Sequence, residues 1–358
     1  MKWNIRCALD GLGLFRKIPQ IGGGGRALFR QKSHSTIEMS FLNTVVDRVY
    51  VINMDIHKDR LAKFDAQMRK HNITYKRIPG IVGAEITYDE GLSPFCNKFC
   101  TAGMKGCALS HRSIWEDMVK NRYDNVAIFE DDAILEENFN EKLRQAWEQL
   151  PIDYDIFYLG CHTLCDNKHI ASRVLLGALG SKEPEDVNQN VRSVGGSGGL
   201  YGYILSGKCA KTVLETSIDT HVDIQFGSWI KQFKLKAYSS NPVIVISNEN
   251  GDSSISENFP RLFNSLLRNV LISDVKPLDW LMSENFLQLG WYSFNATLTI
   301  ISFLVCILPY KYCFGILAWV LVEGIYARDW KSASKYIQIL GGLLIIRWIL
   351  SKKLKSFF

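Results

Sequence analysis

Acidic residues are scarce at both ends of this chain. The first forty residues carry Lys2, Arg6, Arg16, Lys17, Arg26, Arg30 and Lys32 against only Asp10 and Glu38. The other end places Arg347, Lys352, Lys353 and Lys355 with no acid beside them. Neither basic run interleaves aromatics as a nucleic-acid-binding surface does, so no nucleic-acid partner is expected, and an anionic membrane surface suits the basic ends better. An apolar stretch of signal-peptide length is also missing from the front: the nearest, Cys7 to Phe15, is broken by Asp10, Gly11 and Gly13. Residues 1–44 are therefore expected to form a basic, transit-like or disordered leader. A C-x₂-C knuckle is absent too. The nine cysteines include two C-x₃-C pairs, Cys96 with Cys100 and Cys161 with Cys165, which support a zinc site only weakly. Without a signal for an oxidising lumen, disulfides are not expected and the cysteines read as buried or free thiols.

What the chain does have is an apolar run driven straight into charge. Val126-Ala127-Ile128-Phe129 meets Glu130-Asp131-Asp132, and Ala133-Ile134-Leu135 follows at once. A short apolar run of this kind reads as a buried, central parallel strand. Three adjacent carboxylates at its end repel one another and resist desolvation unless a cation sits among them. Hard oxygen ligands suit Mg²⁺ or Mn²⁺, which in turn hold phosphate oxygens. The competing reading is a solvated turn after a strand.

Strands and helices alternate around this run. Arg48 to Asn53 reads as a strand, followed by a helix with Leu61, Phe64 and Met68 on its inner face and an edge-like strand over Tyr75 to Ile78. A long loop over 83–104 leads to a helix from Gly106 to Val119, then the strand with the acids. A helix through Phe139, Leu143 and Trp147 precedes a strand over Asp155 to Leu159. Residues 165–197 look irregular. The Gly195-Gly196-Ser197-Gly198-Gly199 run, which would let backbone approach a ligand, precedes a strand over Leu200 to Leu205. A helix after Ser206, the cluster Asp219-Thr220-His221-Val222-Asp223 at another helix start, and a last strand from Lys236 to Ile246 complete the series. Such alternation implies an α/β, doubly wound, mostly parallel sheet that binds ligands at the carboxyl ends of its strands. The acidic triplet and Asn53-Met54-Asp55 both lie at such ends.

Four stretches carry a family resemblance in order and spacing: Val49 to Asn53 with Asp59-Arg60, Gly106-Cys107-Ala108-Leu109-Ser110-His111 with Trp115, Phe129-Glu130-Asp131-Asp132, and Gly202-Tyr203-Ile204-Leu205. Together, over about residues 45–260, they resemble glycosyltransferase family 25, which includes lipooligosaccharide and collagen hydroxylysine galactosyltransferases. The resemblance implies a GT-A-type enzyme that moves a hexose, galactose or glucose, from a UDP donor onto a hydroxyl of a glycan, glycolipid or glycoprotein, with inversion. It implies Mn²⁺ or Mg²⁺ as cofactor, with Glu130, Asp131 and Asp132 as the counterpart of the family's metal site and His221 as a further metal or phosphate contact. Asn53, Asp55, Arg60, Asp131, Ser110 and His111 are then expected at the nucleotide sugar. Arg60 has an alternative as a helix ion-pair partner, and Ser110 and His111 as a packing pair. An inverting displacement needs a base for the acceptor hydroxyl. Asp223 is the first choice, then Asp219, then Asp252.

Beyond residues 263–290, which read as an amphipathic connector, the chain turns apolar. Phe294 to Pro309, Cys313 to Tyr326 and Tyr336 to Leu350 are three apolar runs, each short for a span of ~20 residues. Aromatic residues stand at their ends, as in a membrane belt. Residues 291–358 are expected to associate with a membrane of the ER or Golgi, or with a membrane's cytosolic face. If the first two runs form a hairpin, Arg328, Lys331 and Lys335 favour the cytosol. The sequons at Asn72 and Asn295 leave the lumen open. Two other functions compete: a catalytically silent relative acting in membrane adhesion or scaffolding, and a metal-dependent phosphohydrolase using the same acids.

Overall fold

The computed structural model describes residues 39–165, 167–247, 259–273 and 276–356. Helix α1 (Phe41–Val45) opens behind Ser40, whose hydroxyl accepts from the Asn43 N–H, and β1 (Arg48–Asn53) follows. Then come α2 (Lys58–Lys70), β2 (Lys76–Pro79), α3 (Pro94–Phe99), α4 (Ala102–Asn121) and β3 (Asn125–Glu130). The α/β region continues through β4 (Ala133–Leu135), α5 (Phe139–Gln149), β5 (Ile156–Tyr158), α6 (Ile170–Leu179), β6 (Glu185–Asp186) and β7 (Val191–Ser193). It ends with β8 (Gly202–Ser206), α7 (Gly207–Leu214), α8 (Val222–Phe233), β9 (Ala237–Ser240) and β10 (Val245–Ser247).

The large sheet has the order β2-β1-β3-β8-β5-β9-β7-β6. β1 is parallel to β2 and β3, and β5 to β9, while β8 is antiparallel to both β3 and β5 and β7 to β9. Most strands thus point one way, but β3 is parallel on one side only. The reversed β8 matters for position: it enters the sheet at the acid end of β3, with Gly202 opposite Phe129. β3 is buried on both faces, which is why its apolar run does not alternate. Val126 and Ile128 pack with α4, α7 and α8, and Ala127 and Phe129 pack with α1, α2 and α5.

Several expectations need correction. The strand expected from Lys236 to Ile246 is two strands, because Pro242 has no N–H to continue the ladder, and β10 leaves to pair with β4. The loop over 83–104 contains α3, opened by Ser93 capping Cys96 N–H with Pro94 in its first turn. Residues 165–197 hold α6, closed by Gly180 at φ +56°, and then β6 and β7. The glycine run faces protein: a Cβ on Gly198 would stand 2.7 Å from His162 Nδ1, and one on Gly199 2.8 Å from the Tyr201 ring. Four cysteines are not free thiols, since Cys96 pairs with Cys100 and Cys161 with Cys165, while Cys107, Cys209, Cys306 and Cys313 stay free.

The C-terminal part runs through α9 (Arg261–Leu267), β11 (Leu271–Ser273), β12 (Lys276–Pro277), α10 (Leu278–Ser283), β13 (Asn285–Leu289) and β14 (Tyr292–Asn295) to three helices. These are α11 (Ala296–Ile307), α12 (Tyr310–Ala327) and α13 (Trp330–Ser356). They do not follow the three apolar runs equally. The stretch Trp330–Lys352 of α13 is long and apolar enough to cross a membrane, whereas α11 has only 12 residues. Of the two sequon asparagines, Asn72 is exposed and Asn295 is buried, capping Leu298 N–H at 2.9 Å and bonding Tyr336 at 3.0 Å.

Candidate active site

Parallel pairing of β1 with β3 sets Ile52 opposite Glu130, so Asn53 and Asp131 emerge side by side from the carboxyl end of the sheet. Asn53 Nδ2 donates to Asp131 Oδ2 at 2.6 Å and to the His57 carbonyl at 3.1 Å, and its Oδ1 accepts from Arg77 Nε at 2.9 Å. Arg60, from the first turn of α2, puts Nη2 2.6 Å from Asp131 Oδ1 and 3.4 Å from Asp132 Oδ2. Both Asp131 oxygens are therefore engaged. The geometry makes Asp131 and Asn53 a brace for the turn. Arg60 is the pairing cation of the triplet, more than a cap within its own helix. Asp55 is exposed and pairs with Arg77, a residue the sequence did not single out.

Asp132 is placed differently. Its Oδ1 is buried without a hydrogen-bond partner. Burial, then the neighbouring Glu130 charge, push its carboxyl up to about 7, against the pull of Arg60. Glu130 is oriented by a buried chain of donors that starts on α4. Trp115 Nε1 donates to Tyr203 Oη at 3.0 Å, and Tyr203, kept protonated by burial, stands 2.9 Å from His111 Nδ1. With the Tyr203 hydroxyl donating to Nδ1, the His111 Nε2–H faces Glu130 Oε1 at 3.3 Å. Cys107, one helical turn before His111, completes a triad with His111 and Glu130 whose ligand atoms all lie within 4.8 Å. Burial holds its thiol well above the ordinary range, so it is not a thiolate as it stands. Ser110 points elsewhere: its hydroxyl donates to the Gly106 carbonyl at 2.6 Å and accepts from Ile81 N–H at 2.8 Å, which docks the β2 exit on α4. That is the packing role.

Across from the acids stands the N-terminus of α8. His221 Nδ1 is 2.9 Å from Asp223 Oδ1, and its Nε2 lies 3.7 Å from Glu284 Oε1. Burial opposes the charge on His221, but Asp223 and then Glu284 outweigh it and lift the ring to about 10. His221 is thereby the charge partner of Asp223. Burial pushes Asp223 up, yet His221 holds it below the usual carboxylate range. Glu284 is pushed up to about 7 by burial, partly offset by His221. Asp219 is exposed, and its N–H donates to Gln225 Oε1 at 2.9 Å. Asp252 lies outside the described residues. A cavity of about 930 Å³ opens nearby between α6, β7, α8 and β9, lined by Lys182, Ser193, Lys231 and Tyr238, but none of the acids borders it.

Residues 46–226, which hold the sheet end and the start of α8, match the model of "Glycosyltransferase family 25 (LPS biosynthesis protein)". The chain belongs to glycosyltransferase family 25. Relatives in that family include a glycosyltransferase 25 family member of Aedes aegypti, 24% identical over 261 residues, covering 63% of this chain and 40% of that protein. Procollagen galactosyltransferase 2 of Homo sapiens is 21% identical over 231 residues, 56% of this chain and 34% of the relative. Inactive glycosyltransferase 25 family member 3 of Homo sapiens is 28% identical over 147 residues, 37% of this chain and 25% of the relative. The matched stretches therefore span well under half of these relatives. Asn53, Arg60, His111, Glu130, Asp132 and Asp223 lie inside the matched residues, and Glu284 lies outside them. Nothing in sequence flagged Glu284: it is one of three scattered acids in the connector, 61 positions from Asp223, and only the fold brings it to His221.

Proposed function

We propose that this chain is a GT-A-type, divalent-metal-dependent hexosyltransferase that moves galactose or glucose from a UDP-sugar to a hydroxyl of a glycan, glycolipid or glycoprotein, with inversion. The observation that carries the reading is the partnerless, buried Asp132 Oδ1 beside Glu130 at the end of β3. In this reading Glu130 and Asp132 would hold Mn²⁺ or Mg²⁺, which would supply charge neutralisation to the departing diphosphate. The chain's own residues do the rest. Asp131, tied to Arg60 and Asn53, fixes the turn; His111 aims Glu130; the remaining guanidinium edge of Arg60 faces the nucleotide. Asp223 accepts the proton of the acceptor hydroxyl, and His221 keeps it ionised to do so.

The site is proposed to work at a membrane, in an oxidising lumen of the ER or Golgi type. Two disulfides in the α/β region support that side. The hairpin argument for the cytosol loses its premise, because a 12-residue α11 reaches only ~18 Å of a ~30 Å hydrocarbon layer.

A silent relative is the second reading, favoured by one observation: Arg60 already supplies a positive charge to Asp131 and Asp132. The deciding experiment incubates the full chain in detergent with UDP-galactose or UDP-glucose, first with Mn²⁺ and then with excess chelator. Chelator-sensitive release of UDP is expected. A folded sample that binds no nucleotide sugar would establish the silent reading instead.

A further inference from the structure

Between Glu284 and Lys311 the chain carries no Asp, Glu, Lys or Arg. The first part of that stretch folds as a sheet of two strands only, β13 and β14. They are joined by the two-residue turn Gly290-Trp291, with Gly290 at the positive φ, +61°, that so tight a hairpin needs. Pairing sets Leu289 against Tyr292, Gln288 against Ser293 and Leu287 against Phe294. Paired residues share a face and successive pairs alternate between faces, so Leu287, Leu289, Tyr292 and Phe294 line one face while Gln288 and Ser293 lie on the other. At the strand ends Phe294 packs with the apolar core of α11, α12 and α13. Towards the turn the apolar side is open: Leu289 is 43% and Trp291 50% exposed. Two strands gain little stability alone in water, and apolar surface of this kind marks a contact.

The hairpin joins the site to the helices. β13 begins one residue after Glu284, whose Oε1 lies 3.7 Å from His221 Nε2, and β14 runs straight into α11. Asn285 faces Asn295 across the ladder, so the start of α11 stands one strand spacing, about 5 Å, from the residue that follows Glu284. The hairpin is also tied to α13. Tyr292 Oη donates to Gln338 Oε1 at 2.7 Å, and Asn295 Oδ1 accepts from Tyr336 Oη at 3.0 Å. α13 changes character at this level: Lys331, Ser332, Ser334 and Lys335 precede it, and residues 339–346 follow without a polar side chain. The hairpin therefore meets α13 where a spanning helix passes from headgroups to hydrocarbon, the depth that tryptophan and tyrosine favour.

We propose that the β13–β14 hairpin rests on a lipid bilayer, with Leu289 and Trp291 in the headgroup layer, and so holds the Asp223 side of the site at the membrane surface. The proposal rests on the membrane reading of α13 and on the assignment of Asp223 to the acceptor side. No charged side chain on the hairpin opposes the contact, and the Tyr292 bond to Gln338 fixes its depth. An acceptor hydroxyl carried on the same membrane meets Asp223 without leaving the interface.

Fluorescence of the full chain in phosphatidylcholine vesicles tests the contact without any nucleotide sugar, so its outcome is separate from that of the glycosyltransferase reading. With Cys306→Ser removing the exposed free thiol, an environment-sensitive dye is attached to Leu289→Cys, Ile345→Cys or Ile152→Cys. Ile152, wholly exposed ahead of β5, is the water-facing reference. Emission from Leu289→Cys should shift to shorter wavelength than that reference. A nitroxide at the lipid headgroup should quench it more than one deep in the acyl chain, and Ile345→Cys should show the reverse order. Quenching of Ile345→Cys alone would overturn the proposal and leave α13 in the membrane. No quenching at either position would remove the membrane reading and the proposal together. A shift at Leu289→Cys that no lipid nitroxide quenches would mean that protein, a second copy of this chain included, covers the hairpin, and would overturn the proposal as well. Should Leu289→Cys lose its cooperative thermal unfolding, Trp291→Cys is read in the same way.

Discussion

The α/β region and the C-terminal helices bury opposite things. Around the large sheet, Tyr50, Phe129, Phe157 and Tyr203 are completely enclosed, and the charges are at the strand ends or on the surface. In the helical part, Phe303, Phe314, Ile325 and Ile345 are all more than 60% exposed. Two charged groups there turn inward. Glu323 is fully buried and accepts from the Leu262 and Phe263 N–H groups at 2.8 and 2.9 Å, so a carboxylate on α12 caps α9. Arg347 donates to the Val305 carbonyl at 2.8 Å and also to Leu308. The first region has the arrangement that water selects, and the second has the exposed apolar surface that the proposed membrane association requires. The two are not independent, because α9 holds the Glu323 contact and packs on α10, which leads directly into Glu284 at His221.

The sharpest way to test the first region is Asp132→Ala, which should cut metal-dependent transfer by on the order of 10²–10³, the scale of losing one stabiliser of developing charge. Its circular dichroism should match wild type; unchanged metal-dependent turnover would remove Asp132 from the metal site. For the second region, Ile345→Lys with Ile349→Lys places two cations on an exposed face of α13. At about 2.5–3.5 kcal/mol each near a bilayer centre, they should move the chain from the carbonate-resistant membrane pellet to the supernatant. Continued membrane retention would mean that α13 does not enter lipid.

A pH experiment joins the two. Asp132 and Glu284 are both pushed up to about 7, from ordinary values of 3.8 and 4.5. A carboxyl that holds its proton more tightly when folded makes the fold less stable as pH rises, here between about pH 4 and pH 7. In chelator, the thermal midpoint should fall across that window. Saturating Mn²⁺ should flatten the fall, because a bound cation removes the reason for the raised value at Asp132. Equal slopes with and without metal would argue that no ion binds there. The smallest effect concerns side. If the α/β region is lumenal, exposed Asn72 should carry a glycan, seen as a glycosidase-sensitive gel shift that Asn72→Gln abolishes with activity retained. A shift that survives that substitution would point to another site, and no shift at all would favour the cytosolic side.

Much of the fold was legible where a local rule acts alone. The buried run Val126 to Phe129, the inner face Leu61, Phe64 and Met68, and the helix through Ser110, His111 and Trp115 follow from periodicity, and all three are where the pattern put them. Misses came where a distant partner decides. Direction in a sheet is not written in a strand's own residues, so the reversed β8 was invisible in Gly202 to Ser206. The cysteine pairs were judged by an expected compartment, although a spacing of four sets Cys96 and Cys100 on one side of a single helical turn.

At the site the division is similar. By itself the sequence determined that three carboxylates stand at the end of a buried strand, since desolvation and mutual repulsion make that pattern meaningful wherever it lies in a fold. Only the tertiary structure decided which of the three is spoken for. Asp131 has both oxygens bound, to Asn53 and to Arg60 across the sheet end, while Asp132 shares Arg60 through Oδ2 and keeps a buried Oδ1 without a hydrogen-bond partner. The same holds for Glu284, far along the chain, whose ionisation depends on neighbours set within a few ångströms by packing and unrelated to order in the sequence.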